Sequence, residues 1–549
     1  MEQPMAQDPL FEGRKQDILE LIPNERMSVE QKAFQPATRE RFSGPFLPMY
    51  KLRREPRHLN DFPLEDSLRI AIWRDNGTLL TVCNNLYAQY EDKHVCINIY
   101  RDGKPRGEFA IYGKTDSAIA ETMVFFCSII SGGEGKARLK LFAHEERSRI
   151  VAHRKEFCFD FAALQEEQLV CILDTNPGWC FELQTGCWNT NHSLILATRP
   201  YPLDLRLTFS QRTSGFIFDD EGTAFVNALV KRKLSFGSLS IAAEMDDHIN
   251  LLCNTDKMPI SRANLHRILN TAEKFDKLAF SPLDSISVLL PFSAHVKALD
   301  YQVDVKYMRP EDFESLNIAT RDLTLKFFHD ENDIWEDVCI AFLNRVAELG
   351  HFEGFGFSVD EYFIVESGTL YLYEFVQPLA EALIRVINAN PNLTHLDISG
   401  SYWFLDWGPH LKEMFKAVEK HKGLRTFTVQ CYEWGDCDDD DESKLRHPQY
   451  SWLEQLLKSN RNITVLERSG KRCSNKNIEH LYLLNHIYNG SARLLAESTS
   501  ERLSLVATAL TESASENFQL TSMLLSDQTD VLCQFINFSF PLEDHDLQH

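Results

Sequence analysis

The sequence predicts an α/β chain built largely from one helix-loop-strand unit, repeated as an irregular solenoid around a parallel sheet. Three observations carry this. One spacing of apolar residues, φ-x3-φ-x5-φ-x2-φ-x-φ, recurs along the chain, its first two positions a helical turn apart and its last two a strand step apart. The connector between them carries turn-forming residues. The segments before the strands show one-sided helical stripes.

The copies are Val226-Val230-Phe236-Leu239-Ile241, Leu265-Leu269-Phe275-Leu278-Phe280, Ile286-Leu290-Val296-Leu299-Tyr301, Phe342-Val346-Phe352-Phe355-Phe357, Leu383-Ile387-Leu393-Leu396-Ile398 and Met414-Val418-Leu424-Phe427-Val429. A seventh, Leu453-Leu457-Ile463-Leu466, fails at Arg468. A chain that is 44% hydrophobic meets such a pattern by chance at roughly nine starts. These copies stand apart because none uses Ala or Cys and because they follow in order, with gaps of 39, 21, 56, 41, 31 and 39 residues. The longest gap has room for a hidden copy at Thr320, Leu323 and Leu325. The connectors, such as 388–392, 419–423 and 458–462, contain the Asn, Gly and Pro that end helices. Trp335, Val338, Cys339, Phe342, Leu343 and Val346 make an apolar helical stripe, as do Leu411, Met414, Phe415 and Val418.

Leu393, Leu396 and Ile398, following Asn390, Pro391 and Asn392, resemble the strand segment of a leucine-rich repeat of the ribonuclease-inhibitor-like type. Leu424, Phe427 and Val429 are similar, as are Ile463 and Leu466. The resemblance covers about residues 160–470 and is strongest over 375–470. It implies a strand-lined concave face that binds protein. The family's turn Asn or Cys is replaced here by Ser401, Tyr432, Asp360, Glu244 and Leu283, so the expected solenoid is uneven.

Outside the repeats, residues 1–63 are polar and proline-punctuated and are expected to be a flexible tail, with one short helix at Ile18, Leu19, Leu21 and Ile22. Residues 64–155 are expected to form a separate β-rich domain. Its signals are alternation at Leu68, Ile70 and Ile72, a turn at Asp75, Asn76 and Gly77, and a hairpin from Val95 to Ile111. The apolar run from Thr122 to Ile130 is a buried element of either type. The solenoid then spans 156–473, with Asp219 to Gly222 capping a helix at its first clean unit. Helical periodicity over 474–536 predicts a C-terminal helical cap that covers the last apolar face, and 537–549 is a tail.

A net charge of −23 argues against sequence-independent nucleic-acid binding and against anionic membrane surfaces, and is compatible with a basic protein partner. The 13 cysteines are scattered, with no C-x-x-C pair, which reads as buried thiols in a reducing compartment. Residues 1–26 lack the apolar core of a secretory leader, and no run reaches the ~18 apolar residues of a membrane helix. The expected location is therefore cytoplasmic or nuclear. Oligomeric state is not legible.

No catalytic motif, cofactor site or metal site emerges. Gly132 to Lys136 lacks the first glycine of a phosphate loop, Ile130 standing there, and its hydroxyl residue, which is Ala137. The acidic run 436–442 lacks the glycine and glutamate of a calcium loop. Two surfaces are candidates for partner binding. One is a loop rim of aromatics and acids: Tyr402, Trp403, Trp407, Tyr432 and Trp434 with Asp438, Asp439 and Asp440. The other is the strand face between the apolar positions, chiefly His395, Asp397, Thr426 and Thr428. The expected function is a non-catalytic protein-protein scaffold or adaptor. The alternative is an enzyme with its site in 64–155, the repeats selecting substrate.

Overall fold

The computed structural model describes residues 18–34, 48–58, 70–82, 93–101, 104–129, 137–143, 158–209, 215–243, 258–330, 334–361, 376–400, 405, 407, 410–429, 448–494, 502–503, 506–507, 521–522, 525–526 and 528–539. The chain is α/β, with a mostly parallel arrangement of strands, and divides into two compact units, Met1–Tyr301 and Gln302–His549.

The first unit begins antiparallel. In place of the tail and short helix expected over 1–63, β1 (Leu19–Leu21) precedes α1 (Val29–Ala33) and pairs with β2 (Met49–Leu52). β2 runs parallel to β3 (Ile70–Trp73). The reason is burial: Ile22, Met27, Phe34 and Met49 pack on Ala71, Leu79, Cys96, Ala110 and Tyr112, a sheet face that water would otherwise cover. β4 (Leu79–Val82) returns against β3, then pairs with β6 (Lys104–Gly113). β5 (Lys93–Arg101) forms the expected hairpin with β6 and pairs on its other side with β7 (Ala137–Phe142). The apolar run at 122–130 lies within helix α2 (Asp116–Ile129), whose Phe126 ring sits 4.4 Å from Phe109 of β6. The glycine-rich stretch 132–136 lies outside the described residues.

The β-rich part is not a separate domain. β7 pairs in parallel with β8 (Cys180–Leu183), which follows α3 (Glu166–Thr175). A short strand β9 (Cys187–Trp188) and α4 (Thr190–Thr198) lead to β10 (Leu203–Phe209), which pairs with β8. β11 (Ile217–Phe218) pairs with β9 beside this sheet, and α5 (Thr223–Lys231) follows. As read from sequence, Asp220 caps α5, accepting from Gly222 and Ala224 N–H. β12 (Gly237–Ala243), α6 (Arg262–Asn270), β13 (Phe275–Phe280) and β14 (Ala298–Asp304) continue the parallel order. Leu205, Leu239, Leu278 and Leu299 stand opposite one another, as do Leu207, Ile241, Phe280 and Tyr301, and all are buried. Each such side chain contributes about 2 kcal/mol relative to exposure.

Two expected apolar positions face water. Val230 is 39% exposed, because α5 turns Phe225, Val226 and Leu229 inward instead. Ile286 is 70% exposed, because its segment holds no α-helix: Pro291 opens a 3-10 turn, Leu290–Ser293.

The second unit's strands pair in parallel, in chain order. Its first strand, β15 (Asp322–His329), occupies the gap where a hidden copy had room. It follows 3-10 turns, Val305–Tyr307 and Pro310–Phe313, not an α-helix. Then come α7 (Trp335–Leu349), β16 (Gly354–Glu361), α8 (Gln377–Ala389), β17 (His395–Asp397), α9 (Leu411–Lys420), β18 (Thr426–Val429), α10 (Pro448–Ser459) and β19 (Thr464–Glu467). Leu323, Phe355, Leu396, Phe427 and Val465 align across these strands. The last is Val465 and not the expected Leu466, because β19 enters one residue sooner after Ile463; that shift is why the pattern failed at Arg468. α11 (Lys476–Leu494) packs on α10, and α12 (Thr529–Ser539) follows.

Side chains tie each helix end to the one before it. Arg232 donates to Ala197, Arg199 and Tyr201 carbonyls, and Lys274 to those of Leu229, Val230 and Arg232. In the second unit Asn390 Nδ2 donates to Val346 O, His421 Nε2 to Asn390 O and Asn460 Nδ2 to His421 O. His421 Nδ1 accepts from Leu424 N–H, so its proton sits on Nε2. These contacts satisfy carbonyls that a helix end or the following loop leaves open.

Candidate functional site

Parallel pairing in register brings four of the sequence-predicted residues together on the second unit's outer strand face. His395 stands opposite Thr426, and Asp397 opposite Thr428. His395 and Asp397 are exposed and the threonines half-buried, because the alternate residues Leu396 and Phe427 take the core side. On the other side of His395 and Asp397 lie Gly354 and Gly356, and beyond them Asp322 and Thr324.

Several polar groups on this face have local ties. Thr394 Oγ1 donates to Glu353 O, so His395 Nδ1 donates to Thr394 Oγ1 at 2.7 Å. Asp397 Oδ1 accepts from Ser399 N–H and Oγ–H, at 2.9 and 2.7 Å, which turns the chain at the strand end. Lys326 pairs with Asp360. Burial raises the Asp360 carboxyl above its ordinary pKa, against the pull of Lys326, Arg468 and His329. The glycines are a packing requirement: a Cβ at Gly354 would lie 2.3 Å from Asp322 Oδ1, and one at Gly356 3.0 Å from Thr324 Cγ2. The result is a shallow polar face whose low centre is partly covered by neighbouring side chains. It offers donors, acceptors and carboxylates to a surface laid against it.

The rim residues fare differently. Trp407 is 2% exposed and belongs to the core, a correction to its expected place on a binding rim: burying its large apolar ring outweighs exposing it, and Leu405 nearby in sequence is buried as well. Tyr402, Trp403, Tyr432, Trp434, Asp438, Asp439 and Asp440 lie outside the described residues.

Charge is unevenly divided. Residues 1–301 hold 36 Lys and Arg against 40 Asp and Glu, and residues 302–549 hold 21 against 40, so the net charges are −4 and −19. The acidity that sequence reading assigned to the whole chain is a property of the second unit, where the polar strand face lies. Among the described residues no group of three or more His, Cys, Asp or Glu is placed to hold a metal ion. No helix among them is long and apolar enough to cross a membrane.

Sequence reasoning missed a second polar row, on the first unit, formed by Lys140, Glu182 and Arg206 on neighbouring strands. The signal was present in the strict alternation of Leu203, Leu205 and Leu207, which sends Asp204 and Arg206 outward. Comparison with known proteins finds no family model that matches the chain and no match among curated proteins.

Proposed function

We propose that the chain is a non-catalytic recognition protein, a degenerate leucine-rich-repeat-type solenoid that binds a protein partner on the outer strand face of its second unit. The observation that carries this reading is the chain-order parallel pairing of β15 through β19 with one apolar residue of each strand aligned inward. Stacked segments of this kind leave their outward residues without a structural task beyond solubility. His395, Asp397, Thr426 and Thr428 are those residues here. The net charge of −19 on the same unit favours a partner with a basic surface, since complementary fields speed encounter and select among partners.

The test is a paired affinity purification with Thr426→Arg and Thr428→Arg together. Both side chains are half-buried and form no side-chain hydrogen bond among the described residues, so the variant is expected to melt within a few degrees of the natural chain. The reading expects the specific partner to be lost from the variant. Retention of every partner by a folded variant contradicts it.

A further inference from the structure

The first unit carries a cationic site that the apolar pattern does not reveal. Asn98, Lys140, Glu182 and Arg206 stand in one row across β5, β7, β8 and β10. Arg138, two residues from Lys140 along β7, lies opposite Tyr100 and Cys180. Glu182 is 4% exposed and pairs with Arg138 at 3.2 Å and Lys140 at 3.8 Å. The Tyr100 ring lies 4.2 Å from Arg138 Cζ, and the Phe142 ring 5.1 Å from Lys140 Nζ. A buried carboxylate and two aromatic rings therefore hold both cations in fixed positions.

Arg206 is held differently. Its Nε is buried without a hydrogen-bond acceptor, and its guanidinium forms no ion pair among the described residues. In the same row Asn98 Oδ1 is also buried without a donor. Glu182 Oε2 in this row also lacks a hydrogen bond, and most buried polar atoms in folded proteins are paired, so the unpaired Arg206 donor calls for an acceptor from a ligand or solvent group. The nearest carboxylates do not supply it: Glu182 is turned to Arg138 and Lys140, and Asp204 is already engaged. Burial raises the thiol of Cys180, which sits among these groups, to about 12, so it adds no charge. On the far side of Arg206 the face falls away over Ser240 and Ala279.

We propose that this face binds an acidic segment of a partner protein in extended form. Carboxylates of the segment meet Arg206 on one side of the Glu182 strand and Lys140 with Arg138 on the other, and the segment's backbone crosses over that strand and continues over Ser240 and Ala279. An extended chain is preferred to a single small anion because β7 and β10 are two strand spacings, about 10 Å, apart. Acidic side chains two residues apart on one face of an extended segment leave it about 7 Å apart, and their reach covers the rest of that distance. The bidentate fork of Arg206 supplies geometry as well as charge. The site is independent of the reading given above, which concerns the second unit.

The experiment is fluorescence anisotropy of fluorescein-labelled deca-glutamate with the full chain at low salt, with deca-lysine as control. Deca-glutamate is expected to bind and deca-lysine to bind this face less. Arg206→Gln should weaken deca-glutamate about tenfold, whereas Lys277→Gln, on the same face but paired with Asp300 at 3.0 Å, should change it less than twofold. Should Arg206→Gln lower the melting temperature, Arg206→Lys keeps the charge without the fork and is expected to weaken binding by a smaller factor. Three results overturn the proposal: no binding of deca-glutamate, equal losses from Arg206→Gln and Lys277→Gln, or full displacement by equimolar inorganic phosphate, which identifies a single-anion site.

Discussion

At His192 the imidazole is 1% exposed, with Nε2 2.7 Å from the Leu164 carbonyl and the ring edge-on to Trp188 at 5.5 Å. Burial holds its pKa below the ordinary histidine value, against the opposing pull of the Leu164 carbonyl and of Glu166, Asp219 and Asp160. The unfolded chain therefore takes up a proton below about pH 6.5 that the folded chain refuses. Stability contributed by neutral His192 is present at and above that pH and falls as pH drops from it toward the lowered folded value, by at most about 1.4 kcal/mol per pH unit. The melting temperature of the natural chain should decline through this window more steeply than that of His192→Asn. Parallel pH profiles for the two would show that His192 is not the group responsible. Residue-scale features of this kind were not legible in advance. A lone histidine in the sequence carries no sign of its neighbours, and Trp407 read as a rim aromatic until its burial placed it in the core.

At the scale of elements, the apolar pattern located strands better than helices. Leu239 and Ile241, Leu278 and Phe280, and Leu396 and Phe427 are all inward strand residues, because strand spacing leaves one register that buries them. The helical positions drifted, as Val230 and Ile286 show, because several short segments meet the same spacing and a proline can replace a helix by a turn. The N-terminal strands were missed because their apolar residues are few and separated by prolines, and their burial depends on β3 to β6, which are distant in sequence. The free edge of β19 illustrates how an end is closed. The chain turns back so that Cys473 N–H donates to Val465 O at 3.0 Å, and the Tyr482 hydroxyl of α11 completes the closure, accepting from Val465 N–H at 3.0 Å and donating to Val465 O at 3.3 Å. Removing it with Tyr482→Phe leaves the buried Val465 N–H without this acceptor and should cost about 1–2 kcal/mol in a denaturant melt. Amide exchange at Val465 should quicken at the same time. An unchanged exchange rate there would mean that the hydroxyl does not protect the edge.

For the whole molecule, the sequence supports an α/β chain with parallel strands in chain order, and the structure has that arrangement in both units. What composition alone concealed was the division of charge, −4 against −19, since a single total of −23 averages two different surfaces. The two proposals made above follow that division: an acidic segment at Arg206 of the first unit and a basic surface at the strand face of the second. The ladder from Asn390 through His421 to Asn460 ties successive helix ends of the second unit together.

The most direct measurement is photo-crosslinking from p-benzoyl-phenylalanine placed at position 428 of the full chain, compared with the same group at position 416 on the exposed side of α9. Partner recognition by the outer strand face predicts a discrete adduct from position 428 that is absent from position 416. Adducts of equal yield from both positions, or an adduct from position 416 alone, would contradict it.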